Sequence, residues 1–95
     1  MNLSDKYLKV LNVIYSYYGM SEGDIIKLLK DKDAKYLLLL LLNRHRCIDE
    51  ERLKAALNVK SKQSITYNLR RAEERLLLNR EFRETYFELE QGLLK

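Results

Sequence analysis

Apolar residues recur at spacings of three and four through almost the whole chain, which is the period of helices buried on one face. In "SDKYLKVLNVIYSYYG", Tyr7, Leu8, Leu11, Ile14, Tyr15 and Tyr18 fall on one broad face. Ser4 or Asp5 can cap the start, and Gly19 can take the left-handed conformation that ends the helix. "SEGDIIKLLK" predicts a short second helix to about Lys30, opening on Ser21 with Asp24 three residues on, close to a capping box. "DKD" at 31–33 interrupts the pattern, and Asp33 is the expected cap of a third helix from about Ala34 to His45. Its leucines at 37–42 make it apolar nearly all round, as suits an element packed on several sides.

After "CID", with Asp49 as cap, "EERLKAAL" offers one apolar face of Leu53, Ala56 and Leu57, a helix of about two turns over 50–57. "NVK" at 58–60 leaves room only for a tight turn, for which Asn58 suits the left-handed position, and Ser61 caps the next helix. Ile65, Leu69, Ala72 and Leu76 form one stripe on that helix, over 62–77. Asn79 caps a last helix with the stripe Phe82, Tyr86, Leu89 and Leu93. The pattern predicts six helices and no strand.

Composition agrees with six helices. Proline is absent and glycine occurs only at 19, 23 and 92, so little interrupts helix formation. A chain of 95 residues supports one core, because two cores would each bury too little surface. The expectation is a single all-α domain over 1–95, a six-helix bundle. "YLLLLLL" meets "NRHR" far short of the roughly 20 apolar residues that cross a bilayer, so no membrane partner is expected. "MNLSDKYLKV" lacks the unbroken apolar stretch of a signal peptide, and Cys47 is the sole cysteine. A cytoplasmic location is expected.

Charge is more informative than composition. Residues 1–43 carry six Lys against five acids, 44–80 ten Lys or Arg against five, and 81–95 two against four. The segment 44–80 therefore carries +5, against +1 before it and −2 after it, for the net +4. A local cluster of Lys and Arg attracts phosphate in a salt-dependent way.

Within that segment, two short helices joined by a three-residue turn, the second opening on polar and basic residues, have the form of a helix-turn-helix over about 50–77. With Ile65, Leu69, Ala72 and Leu76 inward, a turn of 100° per residue puts Gln63, Tyr67, Arg70 and Glu74 outward, flanked by Ser64 and Thr66. Gln63 can pair bidentately with adenine, and Thr66 offers a methyl or a hydroxyl to base edges. Gln63, Thr66 and Tyr67 are expected to face bases. Lys60, Lys62, Ser64, Arg70 and Arg71 are expected to hold phosphates, and Ser61 to cap the helix aimed at the backbone. The expected ligand is double-stranded DNA.

Over roughly 10–90 the chain resembles the C-terminal DNA-binding domain of the bacterial replication initiator DnaA, a Trp-repressor-like helical fold. "VIYSYYGMSEGDII" is similar to the family's opening helices, "AKYLLLLLL" to its central helix, "KSKQSITYNLRRAEERL" to its recognition helix and "NREFRETYFELEQGL" to its closing helix. The resemblance implies DNA binding in replication. It sets Lys60 at a basic position, Ser61 at the motif's Asp, Lys62 at its His, Gln63 and Ser64 at its two Thr, and Ile65 at its Val. The family's basic loop before the central helix corresponds to "KDKDAK", with Lys30, Lys32 and Lys35 but no arginine. The alternative expectation is a protein-interaction module of the same fold that has lost DNA binding and pairs with a replication protein.

Other chemistry is thinly represented. His45 and Cys47 sit two residues apart, a spacing that offers neither a metal shell nor a nucleophile with an oriented base. No glycine-rich phosphate loop occurs, so the expectation is no enzyme, no cofactor and no small-molecule substrate. Among the seven tyrosines, Tyr7, Tyr15, Tyr18 and Tyr86 fall on core faces, and Tyr67 is the outward exception.

Overall fold

The structure, a computed structural model, describes residues 3–21, 25–28, 30–46, 51, 54 and 61–94. Its elements are α1 (Leu3–Tyr18), α2 (Ile25–Leu28), α3 (Lys32–Arg44), α4 (Lys62–Leu78) and α5 (Arg80–Leu94). All regular structure among the described residues is helical. Of the helix expected over 50–57, Glu51 and Lys54 are described; both are helical, with Lys54 Nζ 3.8 Å from a Glu51 carboxylate oxygen. Asp24, Cys47, Asp49, the turn at 58–60 and with it Lys60 lie outside the described residues.

The leucine run sets the architecture. Ala34 and every residue from Tyr36 to Leu42 are buried on α3. A helix can hide all its faces only if others surround it, and α1, α4 and α5 all pack against this one. α5 also touches α1 and α4, which closes the bundle. The outer helices bury one stripe each: Tyr7, Val10, Leu11, Ile14 and Tyr15 on α1, Phe82, Tyr86, Leu89 and Leu93 on α5. Leu8, expected in the α1 stripe, is 54% exposed, and Val10 is buried instead. The seam follows spacings of three and four from Tyr7 through Val10, Leu11 and Ile14, which rotates Leu8 to its margin.

Local chemistry fixes the ends. Gly19 adopts φ +65°. Its N–H donates to Ser16 O at 3.2 Å and the Met20 N–H to Tyr15 O at 2.8 Å, the paired bonds of a Schellman motif closing α1. The cap of α3 is Asp31, not the expected Asp33: its Oδ1 accepts from the Ala34 N–H at 3.0 Å. The helix thereby begins two residues earlier, at Lys32, and Asp33 is freed for another helix. α3 ends through His45 and Arg46, the latter left-handed at φ 54°.

Asn79 serves both neighbours. Its N–H donates to Arg75 O at 2.9 Å, ending α4, while its Oδ1 accepts from the Phe82 N–H at 2.9 Å, starting α5. Arg83 Nη1 donates to Leu76 O at 3.4 Å and Leu77 O at 3.2 Å, placing a cation on the last carbonyls of α4.

Candidate nucleic-acid interface

α4 begins where Ser61, in extended conformation at φ −140° and ψ 154°, accepts the Ser64 N–H on its Oγ at 3.2 Å. No acidic residue occupies the first turn, so the positive end of the helix dipole is not neutralised there. Ile65 and Ala72 are buried, and Leu69 and Leu76 pack against the core from partly buried positions. That stripe fixes the rotation of the helix. Lys62, Gln63, Thr66, Tyr67, Arg70, Arg71, Glu73 and Glu74 are left exposed.

A tie to α3 fixes the tilt. Arg75 Nε lies 2.6 Å from Asp33 Oδ1, a Coulombic contact out of line for a hydrogen bond, while Nη2 donates to Oδ2 at 3.2 Å. The pair is 42 residues apart in sequence, and no local pattern marks it. The nearest signal was the second aspartate of "DKD", left over once Asp31 caps the helix.

The outward residues do not all stand alike. Lys62, Gln63, Thr66, Tyr67 and Arg70 line one open surface groove of about 520 Å³. Thr66 Oγ1 donates to the Lys62 carbonyl at 3.2 Å, so its proton is engaged while its lone pairs and methyl are not. Ser64 is partly buried, its Oγ 3.2 Å from that of Ser61, and belongs to the helix cap as much as to the surface. Arg71 lies 3.6 Å from the Glu74 carboxylate, whereas Arg70 has no ion pair among the described residues. From Ser61 to Ala72 the helix carries no carboxylate; its acids begin at Glu73.

The basic segment before α3 is differently built from the expected loop. Lys32 and Lys35 belong to the first turn of α3, with their ammonium groups 5.8 and 5.4 Å from the centre of the Tyr36 ring. Lys30 sits in the turn before it. A second groove of about 280 Å³, lined by Lys32, Tyr36, Arg71, Glu74, Arg75, Leu78 and Asn79, runs between this turn and the rear of α4.

Elsewhere, His45 caps α3 and its Nε2 is buried without a hydrogen-bond partner among the described residues. Among the described residues no three His, Cys, Asp or Glu side chains gather as metal ligands, and no helix is long and apolar enough to cross a membrane. Leu77 and Leu78 are 74% and 86% exposed at the α4–α5 corner. No protein-family model, curated protein or solved structure matches the chain.

Proposed function

We propose that this chain binds double-stranded DNA through α4, acting as the second helix of a helix-turn-helix in the manner of the initiator domain it resembles. One observation carries the reading: residues 61–72 carry no carboxylate, and Lys62, Gln63, Thr66, Tyr67 and Arg70 line a single open groove. Lys62, Arg70 and Arg71 neutralise phosphates on its flanks, with Lys60 before the cap. Gln63 and Thr66 supply hydrogen-bond groups at base-edge height. The similarity of "KSKQSITYNLRR" to the initiator's recognition helix adds replication or its control as the process.

Binding to random duplex DNA at two salt concentrations tests this. Four phosphate contacts give a fall in affinity of roughly 100-fold between about 50 and 200 mM salt. A Lys62→Glu, Arg70→Glu variant is expected to lose most of the binding and to flatten the salt slope. Parent-like retention by that variant would defeat the reading.

The exposed Leu77 and Leu78 favour a second reading, a protein-interaction module of the same fold paired with a replication protein. It requires a stable protein complex, sensitive to Leu78→Asp, and no salt-dependent retention on DNA.

A further inference from the structure

We infer that Tyr67 is a stacking platform for an unpaired nucleobase, so that the α4 front holds DNA with exposed bases more tightly than a closed duplex of the same length. This rests on the DNA-binding reading and adds to it the state of the DNA.

Tyr67 is 62% exposed and, among the described residues, its ring has neither an aromatic nor a cationic partner. Several other tyrosines find one. Tyr17 and Tyr18 meet edge to face at 5.1 Å, Tyr86 meets Phe87 at 5.5 Å, and Tyr36 lies under Lys32 and Lys35. An open aromatic face in a groove lined also by Lys62, Gln63, Thr66 and Arg70 fits a ligand that is itself flat and attached to phosphates.

The neighbours fit the rest of a nucleotide. Gln63 stands one turn before Tyr67 and Arg70 one turn after, and Lys62 lines the same groove. At 1.5 Å per residue, Lys62 and Arg70 are separated by about 12 Å along the axis, so a base on Tyr67 lies between two cations. The Gln63 amide offers donor and acceptor to the edge of that base. In a closed duplex every base face is covered by its stacked neighbours, and the groove shows only edges. The ring can therefore be covered face to face only where a base has left the stack.

The test uses the full chain with a single strand of about 15 nucleotides, within the span one binding domain covers, and with the duplex formed from it. Parent protein is expected to hold the single strand more tightly than the duplex. Tyr67→Ala should lower single-strand affinity roughly 5- to 150-fold, the range of one lost base stack, and duplex affinity by clearly less. Tyr67→Phe should keep parent affinity, because the ring and not the hydroxyl makes the contact. The chain contains no tryptophan, so Tyr67→Trp gives a lone indole, excited selectively over the remaining tyrosines, that stacking should quench on the single strand. Tyr67 is outside the core, and these variants should retain the parent's helical signal.

Tyr67→Ala binding the single strand as the parent does, losing both ligands equally, or being matched in its loss by Tyr67→Phe would each overturn the stacking role. If salt-dependent duplex binding persists in that case, the general reading stands and only the platform falls. Absence of salt-dependent binding to either ligand overturns both.

Discussion

Arg75 and Asp33 join the middle of the bundle to its outer helix: Nη2 of the arginine donates to Oδ2 of the aspartate at 3.2 Å, with Nε 2.6 Å from Oδ1. The same guanidinium lies 5.4 Å from the centre of the Phe82 ring, so one side chain touches three helices. Both partners are more than a third exposed, and solvent screens the pair. Asp33→Ala is therefore expected to cost about 0.5–1 kcal/mol, less at high salt. Arg75→Ala should cost about 1–2 kcal/mol, since it also removes the ring contact and a packed aliphatic stem. Urea unfolding of both single variants and the double variant separates the terms.

Two leucine runs have opposite weights. Leu39 is fully buried on α3, and Leu39→Ala is expected to cost about 2.5–5 kcal/mol through lost transfer energy and the remaining cavity. Leu78 is 86% exposed beside Asn79, and Leu78→Ala should stay within about 0.5 kcal/mol. Thermal melting of the pair checks this: a large drop for the first and almost none for the second. Equal drops would mean that Leu78 is covered.

The five described helices, the central place of α3 and the outward side of α4 were legible in the sequence because each depends on a local period; of the sixth expected helix, over 50–57, only Glu51 and Lys54 are described. Leu69 and Leu76 follow from Ile65 by rotation alone, and Tyr67 then has to point away. Asn79 could be read as a cap because its neighbours on both sides carry helical stripes. Leu8 sits at the border of a face, where 100° steps alone do not tell buried from exposed, and so its exposure could not be read from the pattern. The α3 cap was displaced because Asp31 and Asp33 are both chemically suitable; what distinguishes them is Arg75, far away in sequence. Arg71 was expected on phosphate, and its ion pair with Glu74, which leaves Arg70 as the less encumbered cation, emerges only with both side chains in place.

Gly19 and Arg46 occupy the same left-handed region, with φ values of 65° and 54°, and respond oppositely to exchange. A Cβ added at Gly19 would meet nothing within 4 Å, so Gly19→Ala probes backbone strain alone and should cost about 1 kcal/mol. Arg46 already bears that strain while exposed at the end of α3. Arg46→Gly relieves it but adds freedom to the unfolded chain, for a net gain of about 0.5 kcal/mol. Denaturant midpoints moving in opposite directions are the expected outcome.

Alkaline pH should unfold the bundle earlier than its charge balance suggests, through two tyrosines. Burial, aided by the nearby carboxylates of Asp31 and Asp33, pushes the Tyr18 hydroxyl from 10.0 up to about 12. Burial and a hydrogen bond to Glu90 push Tyr86 from 10.0 to about 12 as well. Each tyrosine is neutral when protonated, and a raised folded pKa means that the native state retains the proton longer than the unfolded chain. Their contribution is fully present below pH 10.0 and is lost as pH rises to about 12, because over that interval the unfolded state binds fewer protons. Urea midpoints should accordingly be level below that window and fall within it. The Tyr18→Phe, Tyr86→Phe double variant keeps both rings but has no hydroxyl to ionise, so its decline should be shallower than the parent's. An identical decline in parent and variant would show that other groups govern the alkaline limit.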